Sequence, residues 1–264
     1  MTMTTLLASC AGILLSAAVA GAAPSDAAKD LAPSGRLRAA INFGNPVLAQ
    51  RDPATGEARG VSVALARELG RQLDVPVDLV PFTEAGQVFA AAKAGAWDIA
   101  FLAIDPVRAA DIDFTAAYVV IEGVYAVPAA SPLQRIEDID RDGIRIGVTK
   151  GSAYDLFLAR TLKQAQIVRA ANSAEAVDLL PQGTVDALAG VKQPLVDYAA
   201  THPEMRVIPG RFMEIDQAMG VPKGREAGRR FLAGFVEAMK SSGFVAKALA
   251  ASGQADVAVA PPAP

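Results

Sequence analysis

From Arg36 onward, short apolar runs alternate with stretches in which apolar residues recur at helical spacing, the pattern of an α/β layered fold. Leu37 to Asn42 predicts a first strand. The turn Asp52-Pro53-Ala54-Thr55-Gly56 has Pro and Gly where a turn favours them, and Val61, Leu65, Leu69 and Leu73 then repeat at i, i+4 along one helical face. Val77 to Val80 predicts a second strand and Ala85 to Ala94 a second helix. Asp98 to Ile104 predicts a third strand, apolar almost throughout, as a strand is when both faces of its sheet are covered. Together they make one α/β unit of roughly a hundred residues.

A second cycle opens after Ser131-Pro132: a strand at Ile144 to Thr149, a helix from Ala153 to about Gln164, a strand at Ile167 to Arg169, a helix from Ser173 to Leu180 and a strand at Ala187 to Val191. A further strand at Ala218 to Val221, a long helix from Ala227 to Met239 and a short one ending near Ser252-Gly253 read as a return to the first unit. The expected organisation is two lobes, 35–122 with 220–253 and 126–214, joined where Val119 to Val127 and Met213 to Val221 cross between them. Two crossings permit hinge closure around a ligand. The alternative is a single large doubly wound sheet. Residues 255–264, with prolines among small residues and no period, read as a flexible tail.

Composition narrows the function. Of 264 residues, 52% are hydrophobic and 20% charged, as in ordinary globular chains, and a net charge of −3 with both signs scattered offers no basic stripe for nucleic acid. Residues 1–23 read as a signal peptide, an apolar run ending in small residues at Ala18-Val19-Ala20 and Ala20-Gly21-Ala22, although no Lys or Arg precedes the run. A retained membrane anchor is the alternative, disfavoured because the run is shorter than a spanning helix. Leu7-Ala8-Ser9-Cys10 is similar to a lipoprotein box, but its Cys precedes most of the apolar stretch. Cys10 is the only cysteine, so a mature chain has no disulfide or thiolate metal site and suits an oxidising periplasm. The chain carries no motif for a metal or cofactor, so none is expected.

Several motifs, weak singly but specific in this order, resemble family 3 of the bacterial extracellular solute-binding proteins from about Leu37 to Gly253. They are Gly56-Glu57-Ala58-Arg59-Gly60-Val61, Gly95-Ala96-Trp97-Asp98-Ile99-Ala100, Asp105-Pro106-Val107-Arg108 with Phe114 following, Val185-Asp186-Ala187, and Gly220-Val221-Pro222-Lys223-Gly224. The resemblance implies a two-lobed fold of the periplasmic-binding-protein-like type II, each lobe a sheet flanked by helices. It also implies a periplasmic, amino-acid-type solute carrier serving the membrane permease of an ABC transporter; a monomer is expected.

By the same resemblance Arg108 grips a ligand carboxylate. Local physics agrees: with Asp105 as N-cap and Pro106 opening a helix, Arg108 falls in a first turn, where a cation opposes the helix dipole and a structural arginine is poorly placed. The alternative is a solvated surface arginine or a partner for Asp111 or Asp113. In the second lobe Thr149, Lys150, Ser152 and Ala153, around Gly151 and before Tyr154, outline a strand-to-helix turn whose free N–H groups can cradle an anion, or form an ordinary turn and cap. Asn42, Phe43 and Asn45 crowd the end of the first strand, where α/β sheets contact ligands. By the resemblance Ala103, with Ile104 after it, also falls in the site, although Ala103 stands where the family often has a hydroxyl residue and Asn45 where it often has an aromatic one.

The sequence departs from the family where an acid usually holds a ligand ammonium: Val191-Lys192-Gln193 has none, and Lys192 would repel a cation. A small anion or polar acid read by Arg108, Ser152 and Lys192 is therefore expected, although Glu214 or Gln217 could restore a contact that admits an amino acid. The rival class is an enzyme, a periplasmic dehydratase of the cyclohexadienyl type on the same scaffold, with Glu214 as the best-placed acid. The only histidine, His202, reads as part of a polar loop, and no nucleophile elbow or metal motif is present. A receptor sensor domain is disfavoured, because no membrane or signalling segment follows Gly253.

Overall fold

A computed structural model describes residues 24–264, so the segment expected to be a signal peptide, with the motifs read as cleavage and lipidation sites, lies outside the described residues. The described chain opens with α1 (Pro24–Leu31), unannounced by the pattern, whose Leu31 is buried and packs on Gly228. The strand β1 (Leu37–Asn42) follows, then a small hairpin of β2 (Gln50–Arg51) and β3 (Ala58–Arg59) turned at Asp52–Gly56, then α2 (Val61–Leu73). The predicted face of α2 is the buried one: Val61, Leu65, Leu69 and Leu73 all face the core. Next come β4 (Val77–Phe82), α3 (Ala85–Ala92), β5 (Ile99–Ala103), a single 3-10 turn at Arg108–Ala110, and the 17-residue β6 (Ile112–Pro128).

The second cycle comprises β7 (Arg145–Thr149), α4 (Ala153–Thr161), β8 (Gln166–Ala170), α5 (Ser173–Asp178), β9 (Ala187–Val191), α6 (Lys192–Thr201) and β10 (Met205–Val207). The chain returns along β11 (Met213–Pro222) to α7 (Glu226–Ser241), α8 (Phe244–Ala251) and β12 (Ala258–Val259).

In the first lobe β4, β1 and β5 are parallel, Leu37 facing Val77 and Ala39 facing Ile99. In the second β8, β7 and β9 are parallel. The two long strands β6 and β11 pair antiparallel from Met213 opposite Gly123 to Pro222 opposite Ile112 and belong to both halves, so the ladder runs unbroken in the order β4-β1-β5-β11-β6-β9-β7-β8. The halves nonetheless have separate cores. The two faces of the first sheet are covered around Leu65, Leu69 and Phe235 on one side and Trp97, Val88 and Leu102 on the other. Those of the second are covered around Ile146 and Leu158 and around Leu188 and Leu195.

The same device recurs at the start of each sheet. Arg38, at the start of β1, clamps Asp98 before β5 with Nε and Nη2 at 3.0 and 2.9 Å, and donates from Nη1 to Gly95 O. Arg145, at the start of β7, clamps Asp186 before β9 at 3.0 Å from both nitrogens and donates to Gly183 O. The repeat legible in the order of elements is thus a repeat of contacts.

Some expectations are corrected. The helix expected to reach Gln164 ends at Thr161, because Asp140 accepts from the N–H groups of Lys163, Gln164 and Ala165 and draws them out of the helix. The polar loop expected around His202 is the C-terminal end of α6, where the imidazole stacks on Tyr198 at 3.7 Å. Only Leu195 of α6 is buried, too narrow an apolar stripe to register as a period. The segment read as a flexible tail contributes β12, antiparallel to β6 at Val119 and Val120, and Ala260 is buried while its N–H donates to Tyr118 O.

Candidate functional site

The end of β5 delivers Ala103 and then a tight turn. Asp105 accepts from the Val107 N–H at 2.8 Å, the capping role expected of it, but the helix it opens is only the single 3-10 turn, and Arg108 is its first residue. Arg108 is 0% exposed, which removes the surface-arginine alternative; Asp111 pairs with Lys93 instead. The guanidinium donates from Nη1 to Ala103 O at 3.0 Å and from Nη2 across the cleft to Gly151 O at 2.9 Å, while the buried Nε has no acceptor. Asp105, the nearest acid by charge, spends its carboxylate on Val107 N–H and on Arg160 of α4 at 2.8 Å. Burial without a bonded counter-charge pushes Arg108 down to about 10.

The facing wall is the β7-to-α4 turn. Ser152 caps α4, accepting from Asp155 N–H at 3.0 Å, and Asp155 in turn accepts from Gly151 N–H at 2.8 Å. The N–H of Ser152 closes on Thr149 O. These bonds use part of the expected anion cradle; Ala153 and Tyr154 are the N–H groups at the helix start that donate to no acceptor among the described residues.

Other bonds also join the lobes here. Glu84, at the start of α3, is 7% exposed and accepts from Ser173 N–H at 2.9 Å and Ser173 Oγ at 3.2 Å. Burial pushes the Glu84 carboxyl up, against the lowering effect of those bonds. Gly86 and Gly151 meet backbone to backbone: a Cβ on Gly151 would lie 2.9 Å from Gly86 Cα.

Between these walls lies a cavity of about 60 Å³. Of the residues singled out from sequence, Asn42, Asn45, Ala103 and Arg108 line it from the first lobe, Gln217 from the returning strand β11, and Ser152, Ala153, Tyr154 and Val191 from the second lobe. Thr149 stands one layer behind, holding the Tyr154 hydroxyl at 2.9 Å beside a second hollow of about 80 Å³.

The remaining candidates are placed elsewhere. Phe43 packs on the first-lobe core with Arg51 stacked 4.5 Å over its ring, Ile104 is 43% exposed, and Lys150 is exposed. Lys192 donates to Glu122 at 2.6 Å, and Arg211 bonds both Glu122 and Glu214, at 2.9 and 2.6 Å. These four groups line a larger hollow of about 430 Å³ beside the hinge strands rather than the cavity at Arg108. Lys192 and Glu214 therefore do not meet Arg108: each is consumed by an ion pair, and those of Lys192 and Arg211 hold Glu122 below the usual carboxylate range.

Sequence reasoning missed Glu84 and Ser173, which line the cavity and bridge it, and gave no weight to Phe101. The only signal for Glu84 was an acid directly before a helix, indistinguishable from an ordinary N-terminal charge.

The sequence profile of the bacterial extracellular solute-binding proteins, family 3, matches residues 37–253. The chain belongs to that family. Solved structures similar to this family member include a mutant of the arginine-binding protein of T. maritima, 20% identical over 85% of this chain and 99% of that one, TM-score 0.71. The cysteine-binding protein of Campylobacter jejuni is 21% identical over 86% and 97%, TM-score 0.73. An ancestral amino-acid-binding protein described as a precursor of cyclohexadienyl dehydratase is 22% identical over 84% and 97%, TM-score 0.70. At these identities the likeness establishes the shared two-lobed fold. Comparison with curated proteins gave no match. No helix among the described residues is long and apolar enough to cross a membrane.

Proposed function

We propose that this protein is a periplasmic carrier that captures a small solute bearing a carboxylate or similar anion by closing its lobes, and presents the closed form to an ABC transporter permease. The observation that carries the reading is Arg108: fully buried, with no carboxylate bonded to it, and with Nε unsatisfied beside a cavity whose opposite wall offers the free N–H groups of α4. Burying an uncompensated guanidinium costs several kcal/mol, and an anion entering the cavity removes that cost through two parallel charge-assisted bonds. The solute contacts both walls, so its binding free energy goes into closure.

The amino-acid-binding activity of similar proteins supports the solute class. The dehydratase alternative loses the acid that the sequence favoured, since Glu214 lines the hinge-side hollow and pairs with Arg211, and would have to use Glu84, the buried carboxyl of the cleft. The anion is then read by Arg108 with the α4 start, whereas Lys192 bonds Glu122 and lines the hinge-side hollow.

Mass spectrometry of solute released from the purified, then denatured protein names the ligand, and titration calorimetry against carboxylates and amino acids checks it. A carboxylate-bearing solute whose affinity collapses in Arg108→Ala is expected. Tight binding only of solutes without an anionic group would overturn the reading, and turnover of prephenate to phenylpyruvate would replace it with the enzyme.

A further inference from the structure

The carboxylate reading leaves one buried charge unused. Glu84 is 7% exposed in the same cavity as Arg108, its oxygens bonded only to Ser173 N–H and Oγ, and no Lys or Arg pairs with it among the described residues. The ionisable groups sharing the cavity with it are Arg108 and Tyr154, and the tyrosine is itself raised, chiefly by burial, with the Glu84 charge adding to the rise. Closure therefore brings one guanidinium and one carboxylate, each without a bonded counter-charge, into a single space of about 60 Å³. A plain anion compensates the first and leaves the second stranded. A carboxylate has about four acceptor sites, of which Ser173 fills two.

We infer that Glu84 is a specificity-determining residue of the cleft, receiving the cationic, hydrogen-bond-donating end of a dipolar solute whose anionic end lies on Arg108. The inference rests on the carboxylate reading above. It restores from the first lobe the acid that is missing at Val191-Lys192-Gln193 in the second. Because Ser173 belongs to the second lobe, the same carboxylate that selects the solute also ties the lobes, so selection and closure are coupled at one residue.

The test uses matched pairs, L-α-amino acids and the 2-hydroxy acids with the same side chains, titrated calorimetrically into wild type, Glu84→Gln and Ser173→Ala, with thermal melting to establish folding. In the best-bound pair the wild type should favour the amine over the hydroxyl by at least about tenfold, the worth of one charge-assisted bond. Glu84→Gln, which keeps an acceptor for Ser173, should bring that ratio within about threefold by weakening the amine while the hydroxy acid binds as well or better. Ser173→Ala should weaken both members equally and leave the ratio intact.

A ratio unchanged in Glu84→Gln, an equal loss of both ligands in that variant, or a wild type favouring the hydroxy acid would overturn the inference. Hydroxy-acid binding that depends on Arg108 and not on Glu84 would then leave the carboxylate reading standing. If no member of any pair binds the wild type, the inference is overturned, and the carboxylate reading then stands or falls on whether the co-purified solute carries an anionic group.

Discussion

Closure can be blocked sterically without touching a charged group. Gly86 lies in the first turn of α3, and a Cβ placed on it would sit 3.0 Å from Lys150 O and 3.3 Å from Gly151 Cα in the opposite lobe, where ordinary contact begins at 3.4 Å. Gly86→Ala asks the walls to part by about 0.4 Å, which stretches the 2.9 Å bond from Arg108 to Gly151 O toward its limit. Gly86→Val adds methyl groups reaching about 1.5 Å further and holds the walls apart. The lost bonds are Arg108 to Gly151 and Glu84 to Ser173, charge-assisted and worth about 1.5–3 kcal/mol each. Even one of them lowers the closed population, and the apparent affinity, by about tenfold or more; both together by about a hundredfold or more.

Within the first lobe the exchange to Ala should gain about 0.5–1 kcal/mol, because glycine is a poor helix residue. Affinity and stability are thus expected to move in opposite directions in Gly86→Ala. Calorimetry with the co-purified solute, thermal melting, and the solute-induced fall in radius of gyration by small-angle scattering measure the three quantities. Wild-type affinity and full compaction in Gly86→Val would refute closure at this contact.

Further outcomes follow from named groups. Arg108→Lys keeps the charge but loses the planar fork and the reach to Gly151, so calorimetry should show binding weaker by about ten- to a hundredfold; an unchanged constant removes Arg108 from the site. Lys192→Ala breaks a half-exposed pair with Glu122 outside the cleft and should alter affinity by less than about threefold, whereas a large loss would return Lys192 to ligand contact. Asp98 is fully buried; desolvation alone would raise its carboxyl, but bonds from Arg38 and Arg225 outweigh it and hold it below its ordinary value of 3.8. Its ionised form is thus favoured by folding, so its stabilisation is complete above pH 3.8 and is lost as the pH falls through the lower folded value. Asp98→Asn should cost about 3 kcal/mol in denaturant unfolding at neutral pH and less below that point; an equal cost at both would contradict the assignment. Deleting residues 255–264 strips β12 from β6 and the Pro261 carbonyl from Lys240, and should lower the melting temperature, which removal of a loose tail would not.

Much of the fold was legible in the chain because strands and helices record burial in their spacing. The uniform apolar run at Ile99–Ala103 marked a strand covered on both faces, and Val61, Leu65, Leu69 and Leu73 marked the buried side of α2. The turn set by Asp105 before Arg108 was legible as well, but the helix expected after it is a single 3-10 turn, so the burial of Arg108 comes from the fold and not from a helix start. Ser152 was legible as a cap for the same local reason.

What distant residues do to one another was not. Glu84 meets Ser173 across 89 positions and Lys192 meets Glu122 across 70, so the first entered the cavity and the second left it by contacts that no local period encodes. β12 and α6 escaped because one pairs by backbone alone and the other buries a single apolar side chain. The chain by itself determined the strands and helices that bury a full apolar stripe, since those preferences act over a few residues, but not α1, α6 or β12. Only the tertiary structure decided which charges end without a partner, because a counter-charge is supplied by whatever the fold brings within about 3 Å.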